Sequence, residues 1–230
     1  MKVITADFVT SASAGGSVTG IPRDGLAQVA MTGRSNVGKS TLLNALCRSK
    51  VARTSAAPGK TRLANIYRVV VEGGGPGKWG LYLVDLPGYG YARGGADAAE
   101  ELRAVAEAYF LGARDSGLGA RTSGSGPAAI ERSEPRTPSL ESRHALLLVD
   151  SRHPGLKADI QAAHWLDAMG VDFHVVATKI DKLSRTERAR NMKALELTLG
   201  KPPLPVSAAD GEGLDLLWKT IASLARTGRA

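Results

Sequence analysis

Cys47 is the only cysteine in the 230 residues, so no disulfide can form within the chain, and a reducing compartment suits it. It lies in an apolar stretch and reads as a small buried hydrophobe. Aromatic residues make up only 5% of the sequence, yet hydrophobic residues reach 43%, the ordinary content of a chain that builds a core. Long apolar runs are missing too: the longest, residues 145–149, is far short of the roughly 20 residues that a bilayer-spanning helix needs. The four histidines, His144, His153, His164 and His174, have no ligand spacing with each other or with Cys47, which argues against a zinc site or a histidine-based catalyst. Near the start, Ala12-Ser13-Ala14 resembles a signal-peptidase site, but Asp7 and several threonines interrupt what should be an apolar core, so no signal peptide is expected. A cytoplasmic location with no membrane contact follows as the expectation. Acidic side chains are the minority, 22 against 30 Lys and Arg, for a formal charge of +8. That surplus points to an acidic partner, most simply a nucleic acid, with a merely basic soluble surface as the alternative.

What is present centres on residues 33–41. Gly33-Arg34-Ser35-Asn36-Val37-Gly38-Lys39-Ser40-Thr41 follows an apolar run over 27–32 and precedes Leu42, Leu43 and Leu46 at helical spacing. The pattern G-x-x-x-x-G-K-S between a strand and a helix is a phosphate cradle, in which the glycines let backbone N–H groups turn toward an anion at a helix N-terminus. Lys39 would bridge the outer phosphates and Ser40 would ligate Mg2+. Farther on, Asp85-Leu86-Pro87-Gly88 ends a buried strand, where ligands of open α/β sheets gather. As a D-x-x-G, it would place Asp85 at the magnesium and the Gly88 N–H at a γ-phosphate. Thr178-Lys179-Ile180-Asp181 supplies a base reader: the Asp181 carboxylate can accept both hydrogens on the N1 and N2 edge of guanine, which adenine does not offer, while the Lys179 stem covers the ring. Val206-Ser207-Ala208 would hold the base O6 through backbone N–H groups.

These motifs sit in an alternating pattern of strands and helices long enough for one α/β domain, expected over 24–227. Strands are expected at 27–32, 65–72, 79–85, 145–150, 173–177 and 204–206, with a Gly-rich hairpin joining the second and third. Helices are expected at 39–48, 97–111 and 157–169, from the Ser184-Arg185-Thr186-Glu187 capping box onward, and around Leu214, Leu217, Trp218, Ile221 and Leu224. Residues 55–62 read as a loop. Residues 1–23 read as a flexible lead-in, and residues from 112 to about 143, poor in large aliphatics, as a mobile insertion.

In its motifs the chain resembles the EngB (YihA) group of bacterial Ras-like GTPases, within the TrmE-Era-EngA-EngB-Septin-like class. The residues that carry this are G-R-S-N-V-G-K-S-T-L-L-N, P-G-K-T-R, D-L-P-G-Y-G-Y-A, L-L-V-D-S-R-H-P, T-K-I-D-K-L and V-S-A, and Thr178 in place of the usual asparagine is a trait of that group. The resemblance implies a Ras-like P-loop GTPase domain, a six-stranded mixed sheet with helices on both faces, and GTP or GDP as ligand. It implies Mg2+ held by Ser40, Asp85 and the switch threonine Thr61, and extends the nucleotide contacts to Gly59, Lys60, Arg62 and Leu63. The implied role is assembly of the large ribosomal subunit, with its rRNA as partner, and normal septum formation in cell division; a monomer and no DNA are expected. Two departures stand out: Ala57 replaces the usual threonine before Pro-Gly, and the 112–143 insertion is longer than the family's connection.

Hydrolysis by such a site is in-line attack of water on the γ-phosphate, driven by positioning and charge neutralisation. Asn36, Lys39, Thr61 and Gly88 are its expected catalytic contributors. Many switch GTPases place a glutamine after D-x-x-G to orient the water; here Tyr89 holds the position and slow turnover is expected. Asn36 resembles the asparagine through which related GTPases hold K+, and its alternative role is to brace the loop by hydrogen bonds. One alternative to the ribosomal role is a GTP-dependent protein-interaction switch in cell division without RNA contact, using Tyr89 and Tyr91. An iron-transporting or tRNA-modifying relative would need a membrane span or an extra domain.

Overall fold

The computed structural model describes residues 1–12, 21–52, 63–74, 77–89, 95–111 and 143–227. The expected insertion falls almost wholly outside these residues, as does the loop at 55–62. In chain order the elements are β1 (Lys2–Ala12), β2 (Gln28–Gly33), α1 (Lys39–Cys47), β3 (Ala64–Glu72), β4 (Lys78–Asp85), α2 (Gly95–Leu111), β5 (Arg143–Asp150), α3 (Lys157–Ala168), β6 (Phe173–Thr178), α4 (Arg185–Leu199), β7 (Leu204–Pro205) and α5 (Leu214–Thr227). One sheet runs β1-β3-β4-β2-β5-β6-β7. β2 pairs in parallel with β4 and β5, and β6 with β5 and β7, while β1, β3 and β4 pair antiparallel.

The apolar runs take this form because both faces of the sheet are covered. Alternate residues of β5 serve opposite sides, as the period-2 pleat requires: Ala145, Leu147 and Val149 pack with Val105, Tyr109 and Phe110 of α2 and Leu166 of α3. Leu146 and Leu148 pack with Leu42, Leu43 and Leu46 of α1 and Leu217, Trp218, Ile221 and Leu224 of α5. Leu214, expected in the core, is half-buried at the start of α5. The capping box opens α4 as expected, with Glu187 N–H donating to Ser184 Oγ at 3.3 Å and Ser184 N–H to Glu187 Oε2 at 2.9 Å. Arg185, Arg190 and Lys193 stand exposed on this helix, while Arg188 pairs with Glu212 at 2.6 Å.

One expectation is corrected at the N-terminal end. Residues 1–23 were expected as a flexible lead-in, but Lys2–Ala12 is an edge strand running antiparallel to β3, from Lys2 opposite Glu72 to Ala12 opposite Ala64. Register irregularities between Val3 and Thr5 and between Phe8 and Thr10 break the alternation that identifies a half-buried strand in a sequence. The strand adds a seventh member to the expected six. At the other boundary, Arg143 already belongs to β5, where its guanidinium lies over the Tyr109 ring and donates to the Tyr109 carbonyl.

The carboxyl ends of β2, β4, β5 and β6 lie side by side, and the segments leaving them meet in one crevice.

Candidate nucleotide-binding site

The crevice is built from β2 outward. Gly33 packs so closely on β5 that a Cβ there would stand 2.6 Å from the Leu148 carbonyl oxygen, so this position requires glycine. The chain then turns through left-handed conformations at Asn36 and Gly38, with Val37 N–H donating back to Arg34 O at 3.2 Å. α1 opens at Gly38 with no side-chain cap and no acidic residue in its first turn. Its leading N–H groups are therefore available to an anion. Ser40 stands half-buried in that turn and Thr41 exposed.

Lys39 is 8% exposed, and its Nζ donates to Gly33 O at 2.8 Å and Arg34 O at 3.1 Å. Burial lowers its pKa to about 8, only partly opposed by the Asp85 carboxylate. Asp85, at the end of β4, is 2% exposed, and burial raises its pKa against the pull of Lys39 and Ser40. Ser40 Oγ donates to Asp85 Oδ2 at 2.8 Å, while Asp85 Oδ1 is buried with no hydrogen-bond partner among the described residues. A hydroxyl and a carboxylate, both hard oxygens, with one carboxylate oxygen unused, fit a Mg2+ ion. Thr61, expected as its third protein ligand, lies outside the described residues, as do Gly59, Lys60 and Arg62. Leu63 is exposed just before β3.

After Asp85 the chain folds across the loop. Leu86 turns its side chain into the core, its N–H donating to Met31 O at 3.1 Å, so it faces away from the crevice; Pro87 is buried. Gly88 lies on the phosphate loop, and a Cβ there would stand 2.8 Å from Lys39 Nζ and 2.9 Å from Ser35 N. Ser35 N–H donates to Tyr89 O at 3.0 Å and Ser35 Oγ to Gly88 O at 3.4 Å.

The base end is tied to the phosphate end. Thr178 Oγ1 donates its one hydrogen to Val37 O at 2.8 Å, with Val149 O also in reach at 3.1 Å, joining the end of β6 to the loop. Lys179, in a left-handed conformation, donates from Nζ to Asn36 O at 2.7 Å and Asp150 Oδ2 at 2.9 Å. Ile180 is core, and Asp181 stands on the short turn 180–182. The Asp181 carboxylate accepts from Ser207 Oγ at 3.0 Å and pairs with Lys182 Nζ at 3.0 Å. Lys182 first, then Ser207, lowers its pKa and keeps it an anion. Val206 is buried, Ser207 Oγ also accepts from Ala209 N and Asp210 N, and Ala208 is half-buried beside them.

Two acidic residues here carried no role in the sequence reading. Asp150, at the end of β5, accepts from Arg152 Nε at 2.9 Å and Nη2 at 2.7 Å as well as from Lys179. Burial alone would raise its pKa, but those hydrogen bonds outweigh it and hold the carboxyl well below the usual range. Asp159 in α3 binds Arg34 and Tyr89. The signal for Asp150 was its place in L-L-V-D-S-R-H-P; nothing local marks Asp159.

Residues 28–179 match a family model described as a 50S ribosome-binding GTPase. The chain is 36% identical over 228 residues to a probable GTP-binding protein EngB from Solibacter usitatus, covering 97% of each chain. In fold it is similar to a crystal structure of a probable GTP-binding protein engB, with TM-score 0.57, 21% identity, and 87% of this chain and 100% of that one covered. It is also similar to Era in complex with MgGDPNP and a 16S ribosomal RNA fragment, with TM-score 0.59, 23% identity, and 86% and 56% covered.

Fold and family together define a Ras-like P-loop GTPase, which binds guanine nucleotide and hydrolyses GTP. The chain belongs to the EngB family of GTP-binding proteins. Among the described residues, no helix is long and apolar enough to cross a membrane.

Proposed function

We propose that this GTPase is an assembly factor of the large ribosomal subunit that docks on rRNA when loaded with GTP, works as a cytoplasmic monomer, and is needed for normal septum formation. The observation that carries the reading is the match over 28–179 to a family described as 50S ribosome-binding. The +8 charge and the exposed Arg185, Arg190 and Lys193 of α4 support it as a surface suited to phosphate backbones. Cosedimentation with purified large subunits is expected to be stronger with a GTP analogue than with GDP and to fall as salt rises. Binding indifferent to both nucleotide and salt overturns the reading; binding that survives nuclease favours a protein partner instead.

In this reading the loop amides over 36–41 cradle the phosphates and Lys39 bridges the outer ones. Ser40, Asp85 and Thr61 hold Mg2+, which when bound neutralises charge between the outer phosphates. Gly88 N–H meets the γ-phosphate, and Asp181, with the backbone of 206–208, reads guanine. The domain takes in the edge strand β1 and runs through α5 to Thr227. Tyr89, standing where many switch GTPases carry a glutamine, has no amide to orient the attacking water, which supports slow intrinsic turnover. Asn36, exposed at the rim of the loop, is the candidate K+ ligand. Turnover is expected to be faster in KCl than in NaCl of equal ionic strength, and equal rates remove K+ from the mechanism.

A further inference from the structure

Asp159 stands in the first turn of α3 and is only 2% exposed, so its charge requires partners. It has two. Arg34 Nε, from the phosphate loop, donates to both of its oxygens at 3.1 and 3.3 Å, and Tyr89 OH donates to Oδ1 at 3.1 Å. One buried carboxylate thereby joins the loop that receives the phosphates to the segment that senses the last of them. The main chain reinforces the junction: Arg34 and Tyr89 form a parallel bridge, and Ser35 N–H donates to Tyr89 O at 3.0 Å.

The consequence is a filled space. With Tyr89 held down, Gly88 lies so near the loop that even a methyl group on it would meet Lys39 Nζ at 2.8 Å and Ser35 N at 2.9 Å. With Lys39 Nζ and Ser35 packed directly against Gly88, a third phosphate reaching Lys39 competes with Gly88 for that side of the amine. Val37 N–H donates to Arg34 O at 3.2 Å, while the amides of 39–41, which would cradle a diphosphate, lie on α1 away from Asp159 and Tyr89.

We propose that Asp159 is a specificity-determining residue for the phosphate count of the bound nucleotide: by holding Arg34 and Tyr89, it favours an arrangement that admits GDP and must be opened by GTP. A ligand that binds only the opened state has its apparent affinity reduced by the fraction of molecules in that state, whereas one that binds both states does not. The Tyr89 hydroxyl on a buried carboxylate is a charge-assisted hydrogen bond, and its removal shifts such an equilibrium about tenfold. The ring itself packs against the core beside α3, so Tyr89→Phe removes the bond and keeps the packing.

The test measures, for the full chain, affinities for GDP and for a non-hydrolysable GTP analogue in wild type, Tyr89→Phe and Asp159→Asn, with melting temperatures of each nucleotide-free protein. Tyr89→Phe is expected to bind the analogue about tenfold more tightly while GDP affinity changes less than about twofold, and Asp159→Asn to move the same ratio in the same direction. A ratio unchanged in Tyr89→Phe overturns the proposal, and so does an equal loss of both affinities, which is what a plain structural brace would give. The inference rests on the nucleotide site proposed above, and the two fail differently. A wild type that binds neither nucleotide removes the site, whereas one that binds both, with a ratio insensitive to Tyr89, leaves the site and removes this role of Asp159.

Discussion

Asp181→Asn is expected to weaken GTP binding about 10³-fold and to strengthen binding of xanthosine triphosphate, which the wild type rejects. Guanine presents two donors, N1–H and the N2 amino group, and a carboxylate accepts both. An asparagine amide offers one acceptor and one donor, so its NH2 would face the N2 amino group and one pairing becomes a repulsion. Xanthine carries an oxygen at position 2, which that same NH2 can serve. The surrounding structure is built to hold a carboxylate in one orientation, with Ser207 Oγ at 3.0 Å on one oxygen and Lys182 Nζ at 3.0 Å on the other. Lys182 is largely exposed, so losing its pairing costs the fold little. Competition of GTP and xanthosine triphosphate against labelled GDP, in wild type and variant, checks the result. Equal preference in the two proteins would show that Asp181 does not read the base.

Lys39→Met is expected to lower triphosphate affinity by roughly 10³-fold while removing a pH-dependent weakness of the nucleotide-free fold. The buried ammonium loses its proton near pH 8 in the folded chain, against an ordinary value of 10.5 when unfolded. Between those values the unfolded chain binds more protons, so stability rises with pH from about 8 to 10.5; below pH 8 the folded state bears the whole cost of burying the charge. That cost is on the order of 3 kcal/mol. Methionine fills similar space without charge, so the variant should lack this rise. Urea unfolding of both nucleotide-free proteins at pH 7 and pH 10 measures it: the stability gap should narrow at the higher pH, and a gap independent of pH would refute the assignment. The stabilisation that Lys39 withholds from the empty fold is of the kind that functional sites forgo, since in the proposed site bound phosphates would supply the counter-charge.

The nucleotide motifs were legible because each is a run of adjacent residues whose chemistry is local. A backbone that must turn at Gly33 and Gly38, an amine at Lys39 and a hydroxyl at Ser40 would act on one phosphate chain within a few ångströms of each other, and so sit within eight positions in the sequence. The buried strands were legible for a related reason: β2 and most of β5 are covered on both faces, and a continuous apolar run is what such burial requires. β1 was not legible because it lies at the sheet edge with one side open, and its register irregularities scatter Val3, Ala6 and Phe8 out of simple alternation. Leu86, Ile180 and Val206 could be named as parts of motifs, but that their side chains belong to the core followed only from the fold.

By itself the sequence determined that the chain is a guanine-nucleotide-binding GTPase, since the motifs that carry the family resemblance, such as 33–41 and 178–181, are each written in contiguous residues at the ends of apolar strands. The tertiary structure alone decided how those parts are joined. Arg34 meets Asp159 across 125 residues, Thr178 and Lys179 reach back to Val37 and Asn36, and Asp150 anchors Lys179. No local pattern records such pairings, because a buried charge is satisfied by whichever partner the fold brings within hydrogen-bond reach, and distance along the chain does not enter that condition.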